Sequence, residues 1–360
     1  MSTPLYRSNR CAALLLSSVA GATLASAATA EVPSVATDIA PVHGLVARVM
    51  EGVGEPALIV RPGASPHGYA MRPSEARALQ DADAVFWVGP ELEPWLAETI
   101  DTLAQDAAVT ELLEVSGTET LEFREGATFA GHDHEDGHGD GDDHAEDNHD
   151  EEDHDDHADH AEDDHDDHAE ADHDDHAEAD HDDHAGHDHS GIDPHAWLDP
   201  ENGKAWLDVI ATELAALDPD NAEAYRANAA AGRDEIDAAS DAVRARFAEA
   251  GTPEFVVFHD AYHYFENRFG LAAAGAISLS DASDPSPARV EEVRDTVREL
   301  GVDCVFSEPQ FDQRLVQTVL DGTDGQAAVV DPLGFEIETG PGFYPALIEA
   351  IGTEIADCAS

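Results

Sequence analysis

Short apolar, often β-branched runs alternate with amphipathic stretches along most of this chain. Ser34–Thr37, Ala57–Val60, Ala84–Val88 and Val109–Val115 read as strands, each a brief apolar run bounded by turn residues. Val42–Glu51, Pro73–Asp81 and Pro94–Asp106 read as the helices between them. After a long polar interruption, Glu201–Leu217 is helical, and Asp218-Pro219 opens a helical stretch running to about Ala250. Tyr225, Ile236, Val243 and Phe247 recur there at helical spacing with no internal proline. A helix of about 30 residues reaches about 45 Å, enough to brace two lobes.

The βα rhythm then resumes. Phe255–Phe258, Ala272–Leu279, Cys304–Phe306 and Ala327–Val330 are strands; Tyr262–Phe269, Arg314–Leu320 and Tyr344–Ala356 are helices. Another helix starts at Ser286-Pro287, with Val290, Val293, Val297 and Leu300 as its apolar face. The expected fold is α/β: two α/β lobes with mostly parallel sheets, joined by a long bracing helix, with a ligand site in the cleft between them. The expected division is a signal peptide at 1–30, an N-terminal lobe at 31–217, a linking helix at 218–250 and a C-terminal lobe at 251–360.

The polar interruption changes the picture. Between His132 and His189 lie 16 of the chain's 21 histidines and 29 Asp and Glu, with no Lys or Arg. With almost no apolar residues, a segment of this kind cannot offset its ordering entropy and is expected to be disordered without metal. The unit His-Asp-Asp-His-Ala-Glu-Ala-Asp starts at His165 and again at His173, with a degenerate copy from His181. Imidazole is a common ligand for divalent transition metals, and carboxylates add oxygen donors and negative charge. His165, His168, His173, His176, His181 and His184 are therefore candidate weak ligands in a metal-collecting loop at 132–190. An eight-residue repeat drifts about 80° per unit on a helix, so no single histidine stripe forms. The net charge is −62, and −33 remains outside the tract, which argues against nucleic-acid partners.

Arg7 and Arg10, the small and apolar run Cys11–Leu24, and Ala28-Thr29-Ala30 have the pattern of a cleaved export signal with a mature start at Glu31. Cleavage would leave Cys304 and Cys358, and an exported chain with two cysteines is expected to pair them.

Three histidines outside the tract sit near strand ends or helix starts. His67 follows the strand Ala57–Val60, His195 lies in Asp193–Pro200 ahead of a helix, and His259 ends Phe255–Phe258. Asp331 ends Ala327–Val330 and is a candidate fourth ligand, the alternative being water. Three imidazoles with a carboxylate or water suit tetrahedral zinc. His43 reads as a local structural residue and His263 as solvent-facing, while Trp197 and Phe258 read as core. A secreted zinc hydrolase would share the three-histidine set, but no Gly-x-Ser-x-Gly elbow is present and Glu308 fits better as a supporting residue than as a base.

These residues carry a resemblance. Pro62–His67 with Arg72-Pro73-Ser74, Asp193–Pro200, Phe258–Tyr262, Ser307-Glu308-Pro309-Gln310-Phe311 and Asp331–Gly334 resemble the motifs of cluster A-I solute-binding proteins, specifically the periplasmic zinc-binding proteins of the ZnuA type. The likeness runs from about Val35 to the C-terminus. It implies that His67, His195 and His259 bind Zn²⁺ as the transported ligand, that the protein is a periplasmic, monomeric non-enzyme, and that its partners are an ABC membrane permease and, through it, a cytoplasmic ATPase. Relatives that carry manganese usually have Glu where this chain has His259; iron and nickel carriers share the fold. Some zinc members have Glu before the first ligand, where this chain has Pro66. The Cys304–Cys358 pair matches a disulfide of some zinc members.

Overall fold

A computed structural model describes residues 32–124, 126, 128–129, 191–278, 285–311 and 313–359. The export-signal reading and the six tract histidines, His165, His168, His173, His176, His181 and His184, lie outside the described residues. No helix among the described residues is long and apolar enough to cross a membrane.

Two four-stranded parallel sheets form the frame. The first contains β1 (Val35–Thr37), β2 (Ala57–Leu58), β3 (Ala84–Trp87) and β4 (Ala108–Glu111) in the order β2-β1-β3-β4. The second contains β5 (Phe255–His259), β6 (Ala273–Ser278), β7 (Cys304–Ser307) and β8 (Gln326–Val329) in the order β6-β5-β7-β8. Each order reverses beside its first strand, which opens a crevice at the strands' carboxyl ends.

Backbone pairing runs past the formal strand ends, as the longer apolar runs had implied. Ile59 and Val60 still donate to the carbonyls of Thr37 and Asp38, and Leu112 and Leu113 to those of Trp87 and Val88. Helices α1 (Ala40–Val49), α2 (Pro73–Gln80) and α3 (Pro94–Leu103) connect the first sheet, and α2 and α3 each begin on the proline the sequence places there. In the second lobe, α6 (His263–Phe269), α7 (Pro287–Leu300) and α8 (Gln313–Leu320) fill the same role.

The α7 face departs from the expected stripe. Val293 and Val297 are buried and Val290 half-buried, but Leu300 is 53% exposed. Gly301 turns left-handed at φ 67°, and the Val302 amide closes the helix onto the Val297 carbonyl. This is a Schellman-type end, and Val302, not Leu300, joins the buried cluster with Val293 and Val297.

Between the sheets, α4 (Pro200–Leu217) is capped by Asp199, which accepts from the Glu201 amide. A tight turn at Pro219–Asn221 precedes α5 (Ala222–Ala250), 29 residues long. Tyr225, Ile236, Val243 and Phe247 are all buried, as their spacing required. Helix α5 packs on α1, α4 and the C-terminal α9 (Phe343–Cys358), so it touches elements of both halves. One apolar cluster runs without a break from Val42 and Trp206 through Val243 to Phe306 and Ile351. Gly352 makes the α5–α9 approach possible, since a Cβ there would lie 2.6 Å from Val243. A Cys304–Cys358 disulfide ties the start of β7 to the end of α9.

Candidate metal centre

Each of the three histidines is delivered by a different kind of local structure. His259 is the last residue of β5 and stands at the second sheet's crevice, beside Glu308, which follows β7. His195 ends a short turn whose geometry Asp193 sets: its Oδ1 accepts from the His195 amide at 3.0 Å and lies 2.7 Å from His195 Nδ1. The turn is held to the second lobe by Tyr264, donating to the Asp193 carbonyl, and by Trp197 Nε1, donating to the Pro332 carbonyl. His67 rides on the loop after β2. Trp95 Nε1 donates to the Pro66 carbonyl at 2.7 Å, and Gly63, at φ +81°, packs under the Phe335 ring where a Cβ would clash.

These loops bring the rings together. Among the described residues, His67, His195 and His259 form the group of potential ligands, with one donor atom from each lying within 4.8 Å of the others. His195 and His259 are each 3% exposed, and His67 is half-buried. His195 Nε2 and His259 Nε2 are 3.4 Å apart. Two nitrogens about 2.05 Å from a zinc ion at a tetrahedral angle are separated by about 3.3–3.4 Å, so this pair already has the spacing of an occupied site.

The supporting carboxylates set which nitrogen faces inward. Glu308, 0% exposed, lies 2.6 Å from His259 Nδ1, as Asp193 does from His195 Nδ1. A carboxylate oxygen beside Nδ1 accepts a hydrogen bond from the ring N–H there, which leaves Nε2 as the metal-facing lone pair. Two such lone pairs facing each other repel unless a proton or a cation lies between them. Burial pushes Asp193 up to about 7, opposed by the His195 amide. Tyr262, packed behind Glu308, is pushed well above its ordinary value by burial and then by the Glu308 and Asp331 charges. Gln310 Nε2 donates to the second Glu308 oxygen at 2.8 Å.

Pro66, Trp197, Gln310, Pro332 and Leu333 complete the lining with the three imidazoles, and the cavity holds little more than one water-sized sphere. That room suits a single ion.

Asp331 is placed outside this group. Its Oδ1 accepts from the Leu333 amide and its Oδ2 from the Phe335 amide, so the carboxylate shapes the loop that carries Leu333 to the cavity. His43 has the expected local role, with Nε2 3.2 Å from the Pro56 carbonyl. His263 differs from expectation: it is half-buried, and its Nδ1 turns inward to 4.0 Å from Asp193 Oδ2. The helix α6 starts at His263 and rolls that ring against Tyr264 instead of into solvent. Trp197 is buried and also lines the cavity, and Phe258 stacks on Phe311 at 4.3 Å. The sequence signal for Asp193 is the Asp-Pro-His spacing, which puts its carboxylate two residues from the ring.

A family model described as the periplasmic zinc-uptake complex component A matches residues 35–358. The high-affinity zinc uptake system protein ZnuA of Paracoccus denitrificans is 46% identical over 350 residues, covering 97% of this chain and 98% of that protein. Its counterpart in Brucella suis is 44% identical over 349 residues, covering 97% of each. A crystal structure of ZnuA aligns with a TM-score of 0.66 at 20% identity over 92% of this chain and 100% of its own, a likeness of fold. The chain belongs to the ZnuA family of periplasmic zinc-uptake components.

Proposed function

We propose that this protein is the high-affinity zinc-binding component of an ABC importer. It captures Zn²⁺ in the periplasm and delivers it, as a monomer, to a membrane permease driven by a cytoplasmic ATPase. His67, His195 and His259 hold the ion, and water completes the coordination. The observation that carries this reading is the convergence of three imidazole donors within 4.8 Å, two of them 3.4 Å apart and each backed by a buried carboxylate. Three nitrogen ligands favour zinc over manganese, which prefers oxygen-rich sites. Relatives named for zinc uptake, 44% and 46% identical over nearly the whole chain, support the same cargo.

The acidic tract at 132–190 acts in this reading as a weak zinc collector, and the leader at 1–30 directs export. A hydrolytic role is disfavoured by the size of the cavity and by Glu308, which is engaged with His259 and Gln310 and is no free base. One His-Glu-x-x-His run does occur, at His134–His138, inside the tract, where the density of His and Glu produces that spacing by composition.

The test is zinc titration against a competing chelator, on the mature chain and on one lacking residues 132–189. One tightly held zinc is expected in both, with additional weak sites in the intact chain alone. His67→Ala, His195→Ala and His259→Ala should each weaken the tight site. Tight binding that survives all three substitutions would remove the site, and equal stoichiometry in the two chains would remove the collector role.

A further inference from the structure

The tract's entry and exit are not loose ends. Phe123 donates to the Gly191 carbonyl and Asp193 to that of Leu121, and Glu122 and Ile192 form an antiparallel bridge. The two arms thus close into a short ribbon at the tract's base. This stem lies on α6, the helix that follows the ligand His259. The Tyr264 hydroxyl joins both arms, accepting from the Leu121 amide and donating to the Asp193 carbonyl.

Beyond the ribbon, the entry arm crosses to the second sheet. Phe129 donates to the Ala274 carbonyl, Thr128 bridges Gly275, and Arg289 donates to the Gly126 carbonyl. Arg124 is the strongest tie. Its guanidinium reaches both oxygens of Asp260, the residue after His259, and forks onto Glu266 at 2.8 and 2.9 Å. Asp260 and Glu266 are each 2% exposed. Phe129 caps the guanidinium face at 3.9 Å.

The chemistry makes the two sides mutually dependent. Two buried carboxylates side by side must either take up protons or be offset by a cation, and Arg124 is the cation the structure supplies here. A lysine, with one compact charge, cannot reproduce a four-oxygen fork. Removing Arg124 therefore leaves uncompensated carboxyls next to the His259 backbone and frees the entry arm at once. We propose that Arg124 is a positioning residue for the zinc site: through Asp260 and Glu266 it fixes the His259–Tyr262 turn and couples the tract's stem to the bound ion. This rests on the three-histidine reading above. Coupling is reciprocal, so zinc must also tighten the stem.

The experiment uses the full chain. Zinc affinity is measured by chelator competition at sub-stoichiometric metal, so that the tight site alone fills. Zinc release is followed by stopped flow into excess chelator, and ligand geometry by the visible spectrum of the protein with one equivalent of Co²⁺. Arg124→Met is expected to weaken zinc at least tenfold, the scale of lost outer-shell support. It should also speed release and alter the cobalt bands, with Arg124→Lys intermediate. Hydrogen exchange in residues 119–129 should slow on adding zinc to the wild type and not to Arg124→Met. Zinc affinity within twofold of wild type together with an unchanged cobalt spectrum overturns the proposal, whatever happens to the melting temperature. If Arg124→Met fails to fold, adding Asp260→Asn and Glu266→Gln removes the orphaned charges; weakened zinc there supports the proposal and wild-type affinity overturns it. A wild type that holds no tight zinc, or one indifferent to its three histidines, refutes instead the reading on which this rests.

Discussion

Glu308→Gln separates the cost of a buried charge from its use. The side chain is 0% exposed and spends its two oxygens on His259 Nδ1 at 2.6 Å and Gln310 Nε2 at 2.8 Å. Glutamine keeps the shape and one acceptor for the ring but loses the charge. With zinc bound, the carboxylate would sit about 6.5 Å from the ion across the imidazole, taking Zn–N near 2.05 Å. Coulomb's law at an effective dielectric of about 20 gives roughly 5 kcal/mol for that pair. Outer-shell substitutions at metal sites cost about 10–100-fold in affinity, about 1.4–2.7 kcal/mol, because ligands and solvent readjust. The smaller range is the expected loss. Without zinc the sign reverses. An uncompensated carboxylate taken out of water is a burden on the fold, so metal-free Glu308→Gln should melt no lower than wild type. Chelator competition for the affinity and thermal melting in excess chelator measure the two halves. A variant that binds zinc within twofold of wild type would falsify the outer-shell role, and one whose metal-free form melts several degrees lower would show the charge to be structural.

Two further outcomes follow from groups away from the ions. Asp38 and Glu93 are fully buried neighbours: burial pushes Asp38 up to about 7, while burial and then the Asp38 charge push Glu93 well above its ordinary value. A raised folded-state value means the fold holds protons the unfolded chain has released, so the pair costs nothing below about pH 4 and stability falls as pH rises through about 7. Glu93→Gln should therefore raise the melting temperature more at pH 8 than at pH 5, and an equal shift at both would show that the pair is not protonated. Gly203→Ala should destabilise by roughly 1–3 kcal/mol in denaturant titration, because its Cβ would come within 2.4 Å of the Tyr344 hydroxyl that holds the Trp197 carbonyl, and an unchanged midpoint would refute that contact.

The sequence made the βα rhythm legible because parallel, doubly covered strands are short apolar runs, and Phe255–His259 is buried at every position. The brace α5 was legible for a different reason, a helical stripe with no breaker. The three histidines could be picked out by their places near strand ends and helix starts, although spacing alone cannot say that segments dozens to nearly two hundred residues apart converge. What stayed hidden is non-local. Arg124 meets Asp260 across 136 positions, with no local pattern to announce it. Leu300 carries the right spacing for the buried face, but the left-handed Gly301 ends the helix and turns Val302 inward. Asp331 follows a strand, and its contacts to the Leu333 and Phe335 amides were likewise not announced by the local pattern.

The two lobes share a strand order and use their crevices in opposite ways. In the first, the C-terminal ends of β1 and β3 are bridged by Asp38, whose oxygens take the amides of Ile39 and Val88, and Glu93 fills the space beside it. Burial raises both carboxyls, so this crevice favours protons where the other presents an imidazole. In the second, the matching positions hold His259 and Glu308, an imidazole and a carboxylate, so a lone pair is left facing outward. The first lobe can then contribute only from a loop, and His67 does so from a half-buried position. The candidate ligand set is accordingly uneven. His195 and His259 are buried, carboxylate-backed and already at ion-bridging distance, whereas His67 depends on the Trp95 contact to Pro66 and on Phe335 packing over Gly63. Because a brace shared by both lobes opposes wide opening, the lower-cost way to release an ion is to move the His67 loop and leave the other two rings in place. In the alanine series, His67→Ala should then accelerate zinc release while retaining more affinity than His195→Ala or His259→Ala; equal losses at all three positions would mean that the rings act as one rigid set.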